Sequence, residues 1–420
     1  MNVHSFADRD AEARAILTGN DRGGYTVPTA GLYPYQWNWD SAFSAWGFAT
    51  FDTDRAWREV ETLMGGQWPS GMVPHILFHQ PDPGYFPGPD VWGGDLGPVP
   101  SSGISQPAVA ASVLRQIHAR DPDNARLEPL VERLQAWHRW FMAWRVADGA
   151  VFTTHPWESG RDNSPDWDAA MAAIDPAGVG EYTRRDTTHV NADMRPTKDE
   201  YDRYVWLVQR GRKLGWDEAQ LAKGDGLRVL DPTMHFILLR ANRDLEAMLE
   251  ALGRETDEVA AWSATLEAGV AQFRKPDAPG LYARDLTGGT FSEHVSSASF
   301  LCWYAGVEDA GMLGALKQSF SECRFPVPSH PANTQAFDAK RYWRGPVWAF
   351  MNSMIARGLA EMGHRQEAAH LRQCTCDLIA EHGFAEYFDP LTGAPAGGGK
   401  FSWTAAVWLA WASPRATEGD

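Results

Sequence analysis

Four cysteines in 420 residues are too few for a disulfide framework. Cys374 and Cys376 lie two apart in a predicted helix and so face different sides, and no second pair sits at the spacing that would close a structural zinc. No apolar run approaches membrane-spanning length, and the start Met1-Asn2-Val3-His4-Ser5-Phe6-Ala7-Asp8 has neither the basic opening nor the apolar centre of a secretory signal. Basic blocks are also missing. Lys and Arg number 38 against 54 Asp and Glu, a net charge of −16 that disfavours nucleic acid and anionic membranes as partners. Low-complexity tracts, flexible linkers and fixed-period repeats are absent. The expectation is one compact body over residues 1–420, cytoplasmic, with no cofactor, no metal and no membrane or nucleic-acid partner. A homo-oligomer is compatible with the composition.

What the chain has in abundance is tryptophan, 20 residues of one of the rarest types. Trp137, Trp140 and Trp144 share a helical stripe with Leu127, Leu130, Leu134 and Phe141 and read as core. Others stand beside Asp, Asn, Gly and Pro, as in Trp37-Asn38-Trp39-Asp40, a setting that suits a sugar-lined cavity as well as it suits packing.

Helical periodicity dominates. It predicts helices at 54–64, 106–120, 126–144, 198–214, 232–252, 257–273, 347–362 and 366–382, with shorter ones near 40–48, 165–173, 295–305, 312–319 and 403–411. Strand-like alternation is scarce, Gly149 to Thr154 being the best instance. The fold class is therefore all-α. Two long stretches, about 68–103 and 175–197, are rich in Gly, Pro and aromatics and lack periodicity, so they are expected to form the wall and lid of a functional site.

The segment His155-Pro156-Trp157-Glu158-Ser159-Gly160-Arg161-Asp162-Asn163-Ser164-Pro165-Asp166-Trp167-Asp168 places four carboxylates and two indoles in a turn-rich stretch. Glycoside hydrolysis needs a carboxylic acid on the leaving oxygen, a second carboxylate on the opposite face and aromatic surfaces to hold the ring. The same residues also fit a solvated acidic loop.

This segment resembles the general-acid loop of glycoside hydrolase family 63, in particular its short bacterial and plant branch acting on mannosylglycerate and glucosylglycerate. Further matches run along the chain: Tyr33-Pro34-Tyr35-Gln36-Trp37-Asn38-Trp39-Asp40, Gly103-Ile104-Ser105-Gln106-Pro107, Arg195-Pro196-Thr197 with Tyr201, Tyr342-Trp343-Arg344-Gly345-Pro346-Val347-Trp348, and Glu386-Tyr387-Phe388-Asp389-Pro390. The resemblance implies an (α/α)6 barrel and an inverting mechanism with Asp162 as general acid and Glu386 as general base. It implies that Trp37, Trp39 and Asp40 hold the sugar, with Tyr33, Gln106, Trp157, Tyr342, Trp343 and Trp348 as further wall, to which the 68–103 loop adds Tyr85. It implies that Arg195 and Tyr201 bind the carboxylate of a small glycerate glycoside. Arg195-Pro196-Thr197 with Glu200 is also a capping box in form, and Arg344 fits a supporting role. Burial beside Trp157 and the charge of Glu158 would raise the Asp162 pKa, whereas an inward Arg161 would lower it.

An epimerase on a similar barrel would work instead with paired histidines, and His75, His79, His155 and His189 lie near candidate loops. A terpenoid cyclase would need a metal-diphosphate motif that Asp199-Glu200-Tyr201-Asp202 does not supply. An α-glucosidase on other small glucosides would share the acid and base but have no use for Arg195.

Overall fold

The computed structural model describes residues 6–93, 97–223 and 226–416. The signal-peptide expectation therefore falls partly on residues 1–5, outside the described residues, as do three positions of the 68–103 loop. Among the described residues twelve longer helices carry the fold: α1 (Phe6–Asn20), α2 (Asn38–Phe48), α3 (Thr53–Gly65), α4 (Ala110–Arg120), α5 (Asn124–Trp144), α6 (Lys198–Lys213), α7 (Pro232–Ala251), α8 (Asp257–Gly269), α9 (Ala310–Glu322), α10 (Ala349–Glu361), α11 (Arg365–His382) and α12 (Ser402–Val407). Their starts follow cap chemistry. Asp52, Asp123, Asp231 and Asp309 each accept a backbone N–H of the first turn of α3, α5, α7 and α9, and Thr197 with Glu200 closes a reciprocal box at α6.

The contacts form a closed circuit. α2 packs on α4, α4 on α7, α7 on a 3-10 turn at Ser299–Cys302, that turn on α10, α10 on α12, and α12 back on α2. Outside this ring, α3 lies on α2, α8 on α7, α11 on α10 and α1 on α12. Burial is most complete where the ring closes: every residue of α12 and all but one of α2 are in the core.

Three elements depart from the sequence expectation. The stretch 295–305 is only a 3-10 turn flanked by bends, and the Ser299 hydroxyl bonds to the Leu281 carbonyl instead of leaving its turn to a regular helix. α1 escapes periodicity because its buried side, Arg9, Ala13, Ile16, Leu17 and Asn20, mixes polar and apolar residues. Trp144 is not core but 39% exposed at the end of α5.

The strands are short. β1 (Gln36–Trp37) pairs with β2 (Ile76–Leu77); β3 (Val146–Ala147), β4 (Ala150–Thr153), β5 (Val229–Leu230) and β6 (Arg284–Asp285) make one small antiparallel sheet; β7 (Ala385–Phe388) and β8 (Pro395–Gly399) form a hairpin. β4 is the strand that alternation indicates at 149–154. The hairpin has no such signal, because Ala-Glu-Tyr-Phe against Pro-Ala-Gly-Gly-Gly carries no period-2 contrast.

Candidate active site

α2, α4, α10 and α12 all enter the ring from the same end, and there a cavity holds about 90 Å³ of water-accessible space. A water needs about 10–15 Å³ by this measure, so the cavity takes several waters, the scale of one small sugar and not of a polymer. Asp162, Glu386, Tyr33, Trp37, Trp39, Asp40, Tyr85, Gln106, Trp157, Arg195, Tyr201 and Tyr342 all line it. Trp343 and Trp348 do not. Both are fully buried behind the wall, stacked on each other at 4.1 Å and 8°, with Trp343 in turn stacked on Trp39 at 6.4 Å. They hold the wall and do not form it, because the left-handed turn at Tyr342 (φ 46) leaves its own ring on the cavity and the next indole beneath it.

Asp162 follows a single helical turn, Pro156–Ser159, that ends at Gly160 in left-handed conformation (φ 71). A Cβ at Gly160 would lie 2.3 Å from Trp39, so only glycine lets the Asp162 loop approach this cavity-lining indole. The Asp162 carbonyl accepts from Trp167 Nε1 (3.0 Å) and Tyr204 Oη (2.8 Å), which fixes the backbone from behind and leaves the carboxyl on the cavity. Arg161 points away, bonding Asp166 (2.7 Å) and Asp231 (2.8 Å). Glu158 is paired with Arg145 at 2.9 Å and accepts from the Thr154 N–H and hydroxyl, so it is not the source of the field expected from sequence. Burial is the main cause pushing Asp162 up to about 7; Glu386 and Asp186 push the same way, and Arg195 opposes them.

Glu386 lies at a β-bulge in β7, between Ala385 paired with Gly399 and Tyr387 paired with Ala396. Its Oε1 accepts from Tyr33 Oη (3.0 Å), its Oε2 from the Gly398 N–H (2.8 Å), and Arg195 Nη1 reaches both oxygens at 3.3 and 3.4 Å. A guanidinium, a phenol and an amide thus all donate to this one carboxyl group. Gly397, directly opposite, has φ 70, and a Cβ there would sit 2.3 Å from Glu386 Oε2.

Asp40 occupies the first turn of α2 and is pushed well up, by burial first and by the charge of Glu386 second. Gln106 Oε1 accepts the Trp39 N–H at 3.2 Å, tying the start of α2 to the segment before α4. Trp37 meets Tyr33 and Tyr85 edge-on at 5.2 and 5.7 Å.

The 68–103 and 175–197 loops meet over this cavity. Arg185 pairs with Asp82, Phe86 stacks on Tyr182 at 4.7 Å and 7°, and Asp186 and Arg195 both face the cavity. Arg195 is shared. Its Nε donates to Asp186 (3.1 Å), Nη1 to Glu386, Nη2 to Tyr33 (2.7 Å), and its plane lies 4.0 Å from the Tyr342 ring. Tyr201 makes one long hydrogen bond, to the Phe86 carbonyl at 3.4 Å, and carries Arg184 over its ring at 4.1 Å. Arg344 takes the supporting position, bidentate to Asp168 at 2.8 and 2.7 Å.

Sequence reasoning missed Asp186, Arg185, Phe401 and Trp403 on the wall and Gly397 beside Glu386. The run Gly397-Gly398-Gly399 was the available signal, since glycines in a strand mark a close backbone approach.

The histidines do not form an acid/base pair. His155 uses both ring nitrogens, on the Trp157 N–H and the Tyr204 carbonyl, and burial drops its pKa to about 4. His79 bonds Gln36, His189 is exposed, and only His75 touches the cavity, its Nδ1 2.6 Å from Ser102. Of the Asp199-Glu200-Tyr201-Asp202 acids, Asp199 pairs with Arg203, Glu200 caps its helix and Asp202 pairs with Lys198.

Comparison with known proteins extends these observations. The family model described as the mannosylglycerate hydrolase MGH1-like glycoside hydrolase domain matches residues 33–404. The chain belongs to this family. It is 43% identical to mannosylglycerate hydrolase MGH2 of Selaginella moellendorffii, over 97% of this chain and 86% of that one. It is 33% identical to the glucosylglycerate hydrolase of Mycolicibacterium hassiacum, over 97% and 98%. It superposes on the crystal structure of the GH63 mannosylglycerate hydrolase from Thermus thermophilus, solved with Tris and D-glycerate, with a TM-score of 0.91 at 40% identity over 95% and 98%. The enzyme is a glycosidase.

Proposed function

We propose that this glycosidase hydrolyses a small α-glycoside of glycerate, mannosylglycerate or glucosylglycerate, with inversion at the anomeric carbon. The observation that carries the mechanism is the contrast between two carboxyls on one cavity: Asp162, which burial pushes up to about 7, and Glu386, on which Arg195, Tyr33 and the Gly398 N–H all converge as donors. Asp162 protonates the glycosidic oxygen, and Glu386 takes a proton from the water that attacks the opposite face. Trp37, Trp39, Asp40 and Gln106 hold the hexose, with Tyr33, Tyr85, Trp157 and Tyr342 closing around it.

Charge balance supports an anionic aglycone. With Asp162 and Asp40 pushed toward their neutral forms, Glu386 and Asp186 face Arg185 and Arg195 on the wall, so a substrate carboxylate enters a site without net repulsion. Arg195 keeps N–H bonds beyond those to Glu386, Asp186 and Tyr33, and the Tyr201 hydroxyl is free to leave its long bond to Phe86 for a stronger acceptor. The relatives named for glycerate glycosides, and the D-glycerate in the Thermus crystal, support the same assignment.

The ring of α2, α4, α7, the 299–302 turn, α10 and α12, backed by outer helices, is read as an (α/α)6 barrel in which one inner helix is reduced to a 3-10 turn.

The test is NMR of the first-formed sugar from α-mannosylglycerate and α-glucosylglycerate. The β anomer is expected. An α anomer preceding mutarotation would require a covalent intermediate and overturn the roles given to this pair. Asp162→Asn and Glu386→Gln should each reduce kcat on the order of 10²-fold or more in folded protein.

A further inference from the structure

The far end of the helix ring carries a second concavity, an open basin of about 1290 Å³. Its walls come from the C-terminal ends of α2, α4 and α10, the middle of α7, the first half of α11 and the turn after α12. In a chain of net charge −16, seven arginines among the described residues line it against two described carboxylates, Asp244 and Glu361.

Part of that charge has a structural purpose. Helix C-termini leave unpaired carbonyls and a partial negative charge. Arg240 donates to the Tyr304 carbonyl, Arg243 to that of Ala305, and Arg372 to those of Trp411 and Ser413. This account does not extend to Arg115, Arg357 and Arg365. Arg115 shares Asp244 with Arg240, and Arg357 shares Glu361 with Arg240, so each basin carboxylate already serves two guanidiniums. Arg365 is exposed and has no ion-pair partner among the described residues. The Arg115 and Arg357 side chains are 48% and 34% exposed. Two half-buried indoles, Trp46 and Trp411, stand on the same wall.

We propose that this basin binds a small anion bearing two or more phosphate groups. Guanidinium forks match phosphate oxygens bidentately, and several forks spread around one hollow need an anion with charge at more than one point, which a lone carboxylate lacks. The recessed shape and the acidic remainder of the chain disfavour a nucleic-acid polymer.

The experiment is calorimetric titration of the intact enzyme with inorganic tripolyphosphate at low salt, repeated with ATP. The expected result is one site per chain, weakened by added salt and weakened roughly ten- to a hundred-fold in Arg357→Gln/Arg365→Gln, the loss of one charge-assisted contact or more. Glycoside turnover should be unchanged in that variant, and the single exposed change Arg365→Gln gives the same direction should the double variant fold poorly. ATP binding more tightly than tripolyphosphate, with the difference lost in Trp411→Ala, would identify a nucleotide; equal affinities would assign the site to phosphates alone. Absence of binding, affinity unaffected by the arginine changes, or inhibition competitive with the glycoside would overturn the proposal.

Discussion

Replacing Gly397 with alanine should disable the enzyme while leaving it folded. The new Cβ would lie 2.3 Å from Glu386 Oε2 and 2.6 Å from Tyr387 Cε1, where ordinary contact begins near 3.4 Å, so the carboxylate must retreat by about 1 Å. That retreat breaks the 2.8 Å bond from the Gly398 N–H and loosens the bridge from Arg195. Left-handed backbone (φ 70) adds about 1–2 kcal/mol of strain for any residue with a Cβ. A misplacement of about 1 Å in a reacting group costs about 10²-fold in rate. The expected result is kcat lower by about two orders of magnitude, KM changed far less, and a stability loss of a few kcal/mol by denaturant melts. Gly399→Ala is the matched control, two residues along the same strand, with no atom within 4 Å of its Cβ and no positive φ. If both variants retained wild-type kcat, Glu386 would not be positioned by this hairpin and its role as base would fail with it.

Further outcomes follow from the same geometry. Because Asp162 titrates at about 7, kcat/KM should fall as pH rises above 7, and Asp162→Asn should abolish that limb along with most activity. The raised pKa also has a sign for stability: the folded state holds a proton that the unfolded chain releases near pH 4, so Asp162 destabilises progressively from about pH 4 to 7. Asp162→Asn should gain stability relative to wild type over that window, up to a ceiling of about 4 kcal/mol at 1.36 kcal/mol per unit, reduced by cavity water; a pH-independent difference in melts would contradict the burial argument. Arg195→Ala should lower kcat on every substrate, because Arg195 holds Glu386. It should also lower kcat/KM for a glycerate glycoside roughly ten-fold more than for the glycerol analogue, and an unchanged ratio between the two would remove Arg195 from carboxylate recognition.

Much of this site was legible because its residue types are conspicuous. Trp-Asn-Trp-Asp, the Asp162 loop and the Glu386 string concentrate indoles and carboxylates in short windows, and twelve of the residues indicated by the matched motifs and loops line one cavity. Helix starts were legible where a cap stood before them, as with Asp231 and Thr197. What stayed hidden depends on distant contacts. Asp186 looks like any loop acid until Arg184 and Arg195 converge on it. Trp343 and Tyr342 are adjacent and chemically alike as wall candidates, and only the left-handed turn at Tyr342 decides which faces the cavity. The direction of Arg161 was set by Asp231, 70 positions away.

One guanidinium connects the two halves of the reaction. Arg195 lowers the cost of charge on Glu386 by direct contact and opposes, from farther off, the rise in the Asp162 pKa. Burial pushes Asp162 toward its neutral form, and the cation in direct contact with Glu386 alone separates the two environments. Asp186, paired with Arg195 at 3.1 Å, itself pushes Asp162 up and so offsets part of the pull from Arg195. A change at any one of Asp186, Arg195 or Glu386 should therefore appear in the pH profile of Asp162, since each contributes to its shift.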